Sequence, residues 1–302
     1  MPSTDDLQGN RLLPIRLHIV LSLPSQLSLS MKDDLDRLNR HKDDQERQAI
    51  LDWLTPTDYA LQQSDFIAKH QEGTGQWFLD SNEFQKWLNG SAQTLFCPGM
   101  PGAGKTIITS IVVKHLNAKF RNNASIGIAY LYCNFKRQHE QTPADLVSSL
   151  LKQLVQEQPS VPEIVKSLYE RYPYKRSRPS PEEILKSLYA IATDYPRIFI
   201  LIDALDECQV SDGGRRKFLS EVFHLQNKTG ANVFATSRLI PEIMKEFEGS
   251  ISLEIRASKE DMQRYLEGRI LELPSFVSRR VDLQEEIKTQ ILKAVNGMYV
   301  LP

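Results

Sequence analysis

Apolar positions in this chain follow two rhythms, and the change from one to the other comes near Thr94. Before it, Met31 to Leu54 is dense in Lys, Arg, Asp and Glu, with Leu35, Leu38, Ile50, Leu51 and Leu54 as its apolar positions. That spacing predicts one or two amphipathic helices. Too few heptads are present for a coiled coil, which leaves a packing or linker role. Glu72 to Gly75 holds two glycines and predicts a loop, and Phe84 to Leu88 predicts a short helix stopped by Gly90. From Thr94 onward, short apolar runs alternate with helical patterns. Strands are predicted at Thr94–Cys97, Ile126–Phe135, Arg197–Asp203, Asn232–Thr236 and Ile251–Ile255. Helical patterns cover Lys105–Ala118, Leu146–Val155, Ile184–Ile191, Phe218–Leu225 and Leu283–Val295. Ser258 and Asp261 form a candidate capping box for a helix running to about Leu271. The unbroken run Ile198-Phe199-Ile200-Leu201-Ile202 suits a strand covered on both faces. The alternation predicts an α/β fold of three layers with a mostly parallel sheet, from about Gln93 to Arg256.

Upstream, Leu12 to Ser30 is apolar enough to require a membrane test. Pro14, Arg16, His18 and Pro24 interrupt it, so no membrane span is expected. Asp5 and Asp6 make the start unlike a signal peptide. Residues 1–30 are expected to be a disordered leader, with Met31 a competing start.

Composition narrows the picture only a little. The 302 residues leave room for about two domains. Lys plus Arg is 37 and Asp plus Glu 38, a formal net charge of −1, which argues against a DNA-coating protein, and no nucleic-acid partner is expected. The basic stretch Tyr172–Ser180 reads as a solvated loop. Cys97, Cys133 and Cys208 show neither disulfide-framework nor zinc spacing, which points to a reducing, cytoplasmic location. His115, His139 and His224 show no metal-ligand spacing.

The chemistry sits in one motif and its surroundings. Gly99-Met100-Pro101-Gly102-Ala103-Gly104-Lys105-Thr106 fits G-x-x-x-x-G-K-[ST] at every fixed position. Glycines let backbone N–H groups approach a polyphosphate, Lys105 supplies a cation, the Thr106 hydroxyl can ligate Mg²⁺, and the helix that begins here, through Ile107, aims its positive end at the anion. Asp203 ends the buried strand and can support Mg²⁺, while Asp206 and Glu207 can orient or deprotonate a water. Arg238, at the end of the next strand, can touch a γ-phosphate.

Together with Gln71–Trp77, the runs Cys97–Thr106, Asp203–Cys208 and Ala235–Arg238 resemble the NACHT class of signal-transduction P-loop ATPases, and more closely the fungal NOD-like proteins that carry a nephrocystin-3-like N-terminal domain. The resemblance covers roughly Ile50 to Pro302. It implies a P-loop NTPase domain at 91–256, preceded by a helical segment at 31–90 and followed at 257–302 by the start of a helical lid that is not completed. It further implies ATP and ADP with Mg²⁺ as ligands, slow hydrolysis that resets a switch, an adenine near Gly73–Trp77, and self-association or association with full-length relatives. A nucleotide-binding remnant acting as an interaction module, or another P-loop enzyme such as a kinase, stays open beside it.

Overall fold

The computed structural model describes residues 19–121, 123–172, 177–208, 213–270, 273, 277 and 279–294. In chain order the elements are α1 (Ile19–Leu54), α2 (Tyr59–Ala68), α3 (Gln76–Leu79), α4 (Asn82–Asn89), β1 (Thr94–Pro98), α5 (Lys105–Lys119), β2 (Ile126–Tyr132), α6 (Pro143–Gln156), α7 (Glu163–Glu170), α8 (Pro181–Thr193), β3 (Arg197–Asp203), α9 (Gly214–Thr229), β4 (Asn232–Ser237), α10 (Pro241–Glu246), β5 (Ile251–Ser252), α11 (Lys259–Ile270) and α12 (Val281–Ala294). The sheet has five strands in the order β2-β3-β4-β1-β5, and every pairing is parallel. The expected three-layer α/β architecture is the observed one.

The apolar run of β3 explains the layering. Ile198, Ile200 and Ile202 point into a core shared with α6, α8 and α9, whereas Phe199 and Leu201 point into a second core with α4 and α5. Alternate side chains of one strand thus fill opposite faces. The edge strand β2 is protected by a side chain: the Gln153 amide accepts from Tyr130 N at 3.0 Å and donates to Tyr130 O at 2.8 Å. Capping sets two helix starts ahead of their apolar patterns. Thr142 with Asp145 opens α6, Ser180 with Glu183 opens α8, and each helix has a proline in its first turn.

Several boundaries differ from the sequence pattern. Helix α1 begins at Ile19 and runs through Pro24, so residues 19–30 are helical rather than part of a disordered leader. One broken backbone hydrogen bond does not outweigh the helix formers around it. Residues 1–18 lie outside the described residues, as do 173–176 of the basic loop, Leu271 and Val295. Strand β2 stops at Tyr132 because Asn134 caps a short 3₁₀ helix, Phe135–Glu140, and its side chain accepts from Lys136 N at 2.9 Å. Strand β5 is shorter than its apolar run, although Leu253 N and Ile255 N still donate to Phe96 O and Pro98 O at 3.1 and 2.8 Å. Two compact units divide at Ile50, inside the helical segment expected at 31–90. In the second unit, α4 belongs to the sheet's own core: Trp87 Nε1 donates to Val233 O at 2.9 Å and Asn232 Nδ2 to Trp87 O at 2.7 Å. No described helix is long and apolar enough to cross a membrane.

Candidate functional site

The C-terminal ends of β1, β3 and β4 share one rim, with β4 between the other two. The loop after β1 turns through Gly102 and Gly104, at φ +75° and +88°, and enters α5 at Lys105. An L side chain at Gly104 would be strained there. Lys105 Nζ donates to Gly99 O at 2.9 Å and Met100 O at 2.8 Å, so its charge rests on the loop's own carbonyls. Burial pushes the Lys105 ammonium down from its ordinary pKa, with Asp206 and Asp203 pulling the other way. Ala103, expected among the binding residues, turns its side chain into the core, while its N–H donates to Met100 O at 3.2 Å.

Asp203 is 2% exposed and collects three hydroxyls: Thr106 Oγ1 at 2.7 Å, Thr109 Oγ1 at 2.9 Å and Thr236 Oγ1 at 2.7 Å. Burial pushes its carboxyl up despite these partners and Lys105. A buried carboxylate beside a threonine hydroxyl fits a divalent cation, and Thr106 with Asp203 would hold Mg²⁺. Among the described residues no group of three or more His, Cys, Asp or Glu is placed to hold a metal, so phosphate oxygens would supply the remaining ligands. The sequence pattern missed Thr109; its position one helical turn after Thr106, on the same face of α5, is the signal that could have found it.

After Asp203 the backbone turns sharply at Ala204, a non-glycine residue at φ +52°, held by Ala204 N donating to Thr236 Oγ1 at 2.9 Å. The two acids that follow have different partners. Asp206 receives Arg238 N at 3.0 Å on one oxygen and Arg238 Nε at 2.8 Å on the other, with its side chain 4% exposed. Glu207 accepts from Phe135 N at 3.2 Å and lies 3.6 Å from Arg238 Nη2. The three residues expected to act together are therefore adjacent, with Asp206 committed to the arginine.

Cys133 and Cys208 are bridged, with Cα atoms 5.4 Å apart, and Cys97 is free and buried. The cysteine spacing, which shows no disulfide framework, gave no sign of this one pair. The two residues are 75 positions apart, but adjacent parallel strands bring them to the same rim. The cysteine argument for a reducing compartment falls with it.

Two cavities meet above this rim. A cavity of about 360 Å³ is lined by Pro101, Gly102, Lys105 and Thr106 on one side and by Ala204, Asp206, Glu207 and Arg238 on the other, with Gly104 and Ile107 at its end. A second, of about 210 Å³, shares Gly104 and Ile107. Ile108 and Ile111 of α5 form its floor, and its walls are Lys69, Gln71, Thr74 and Gly75 on one side and Tyr265 and Arg269 of α11 on the other. Thr74 and Gly75 fall inside the segment expected near the base. Gln71 opens the run Gln71–Trp77 that carries the resemblance, whereas Tyr265 and Arg269 carried no motif. His115 and His224 instead pack against Phe84 and Tyr189, with ring centroids 5.7 and 5.3 Å apart.

A parallel strand, a glycine loop closing on Lys105 and a buried acid two strands along the sheet make this a P-loop NTPase fold. The structure is similar to the Orc1 protein of Aeropyrum pernix in complex with DNA, at 17% identity and TM-score 0.48 over 76% of this chain and 56% of that one. Similar in the same way are a Walker-type ATPase of Pyrococcus abyssi (10%, 0.45, 76% and 64%) and AMPPCP-bound DnaA from Aquifex aeolicus (12%, 0.39, 75% and 57%). This chain thus spans between half and two thirds of each of these structures. No curated protein matches it. The expectation of no nucleic-acid partner is corrected at this point. The Aeropyrum protein is in complex with DNA, which is said of that protein; for this chain a net charge of −1 excludes no such partner, because a local patch rather than the sum of charges meets a phosphate backbone. The model of the family described as Nephrocystin 3, N-terminal, matches residues 73–238, more than half of the chain and the span that carries the phosphate loop, the acids and Arg238. The chain belongs to the nephrocystin 3 N-terminal family.

Proposed function

We propose that the chain binds a nucleoside triphosphate with Mg²⁺, hydrolyses it slowly, and uses bound ATP and ADP to switch between two states, in the manner of NACHT-class signalling ATPases of the fungal NOD-like type. One observation carries the reading: a charged cavity and an apolar cavity meet at Gly104 and Ile107, which suits a ligand with an anionic tail and a flat apolar head. The runs Asp203–Cys208 and Thr236–Arg238, beside the family match, support the NACHT type within P-loop ATPases. Residues 91–256 then form the nucleotide-binding body, and α11 with α12 contributes a helical lid.

Lys105 exchanges the carbonyls of Gly99 and Met100 for β- and γ-phosphate oxygens. Thr106 and Asp203 would hold Mg²⁺, which when bound would offset phosphate charge. Glu207, the acid not committed to Arg238 through both oxygens, accepts a proton from a water. The water oxygen bonds to the γ-phosphorus as the bond to the β,γ-bridging oxygen breaks, giving ADP and phosphate. Asp206 keeps Arg238 beside the γ-phosphate position. A switch additionally requires that ATP bind one conformer more tightly than the other.

The test is to denature the purified chain, identify any released nucleotide by ion exchange, and titrate emptied protein with Mg·ATP. Stoichiometric ADP or ATP, or saturable binding, is expected. An empty protein that also fails to bind added Mg·ATP overturns the proposal.

A further inference from the structure

The apolar cavity is assembled from three parts of the chain, and one side chain joins two of them. Its floor belongs to α5, one wall to the turn Gln71–Gly75, and the other to α11. The turn is short and has little regular structure of its own: Thr74 N and Thr74 Oγ1 both donate to Gln71 O, at 3.1 and 2.8 Å. Asp261 stands in the first turn of α11, where its N–H is capped by Ser258 Oγ at 3.0 Å. That contact is one expected of the capping box read from the sequence, and the Asp261 carboxylate has a further use. Its Oδ2 accepts Gly75 N at 2.8 Å across 186 residues of sequence, and the residue is 3% exposed. Arg264 Nη1, one turn along, donates to Gly73 O at 2.6 Å. Gly75 sits at φ +75°, and a Cβ there would lie 2.6 Å from Ile111 Cδ1, so the turn is pressed against the floor at the point where Asp261 grips it.

We infer that Asp261 is the positioning residue of the nucleoside half of the site: by holding Gly75 N–H it fixes α11, and with it Tyr265 and Arg269, over the base. The inference rests on the nucleotide reading above. Helix geometry supplies the link, because residues four and eight positions after Asp261 lie on its face of the helix. Tyr265 and Arg269 occupy those positions, and both line the cavity. A buried carboxylate receiving a backbone N–H is a short, charge-assisted contact, which suits it to set a distance between two elements rather than to touch the ligand. The phosphate cavity includes neither α11 nor the turn. Loss of the clamp therefore acts on the base and spares the phosphates.

The test titrates the full chain by calorimetry with Mg·ATP and with inorganic tripolyphosphate. Asp261→Ala is expected to weaken ATP at least tenfold and tripolyphosphate less than twofold. Asp261→Asn, which keeps an acceptor for Gly75 N–H, is expected to restore ATP to within about threefold of the parent. Asp261→Glu, with charge kept and reach lengthened, serves if Asp261→Ala does not fold, and is expected to lose ATP affinity selectively. Unchanged ATP affinity in Asp261→Ala overturns the inference, and so does an equal loss of both ligands. A parent protein that binds tripolyphosphate as tightly as ATP instead sinks the nucleoside reading itself, whatever the variants do.

Discussion

The two halves of the site are built on opposite principles. In the phosphate half every charged group already has a partner: Lys105 rests on the Gly99 and Met100 carbonyls, Asp203 on three threonine hydroxyls, and Arg238 on Asp206. A ligand entering there exchanges contacts, so its net gain is the difference between phosphate and the partners it displaces. The nucleoside half offers an isoleucine floor and two walls, and its gain comes from burying apolar surface. The first half is organised by its own hydrogen bonds and the second by a clamp between distant segments. Specificity for a polyphosphate and specificity for a base should therefore be separable by mutation.

Glu207→Gln gives the largest expected effect, a loss of about 10²–10⁴ in turnover, the usual contribution of a general base. Binding of ATP and tripolyphosphate should stay at the parent level, as phosphate release and calorimetry would show. Unchanged turnover would return the water to Asp206. Next is Lys105→Ala, which should weaken ATP and tripolyphosphate alike by more than about 100-fold, roughly 3 kcal/mol. A loss confined to ATP would break the comparison outright. Gly75→Ala acts on the other side: a positive φ and the approach to Ile111 cost about 1–2 kcal/mol of stability in a denaturant melt. ATP affinity should fall about tenfold, with tripolyphosphate unmoved.

Asp203→Asn has the smallest expected effect and the opposite sign. Burial raises the folded-state pKa of Asp203 above its ordinary value of 3.8. Its favourable share of stability is thus present below that value and lost as pH rises through the folded-state pKa. In chelator, the asparagine variant should melt higher than the parent at pH 7, and the gain should vanish toward pH 3. A melting temperature at or below the parent's at pH 7 would mean that the three hydroxyls more than offset burial.

The same contrast explains what the sequence made legible. Gly99–Thr106, Asp203–Glu207 and Thr236–Arg238 are short runs at strand ends, and phosphate chemistry restricts the residue type at each position, so the phosphate half could be read directly. The central strands could be read too, because burial on both faces leaves only apolar residues from Ile198 to Ile202 of β3. Gly75 and Asp261 meet through a backbone N–H that leaves no mark on residue choice at Gly75. Tyr265 and Arg269 look like any polar helix face. The Cys133–Cys208 pair was hidden for a similar reason: sheet order, not spacing, makes them neighbours. Helix α2 escaped notice because its burial does not follow its apolar residues: Gln63 is buried and donates to Ser110 O of α5 at 2.9 Å, while Leu61 is exposed.

The cysteine bridge has a topological consequence. With Cys133 joined to Cys208, the segment between them becomes a closed ring that holds α6, α7, α8 and the strand ending in Asp203, and the rest of the polypeptide forms two tails. A single protease cut within that ring opens it without releasing a fragment. The nicked protein would run as one band on a non-reducing gel and as two on a reducing one. Separation of the acid-bearing strand from the rest of the sheet requires two covalent events in the same molecule.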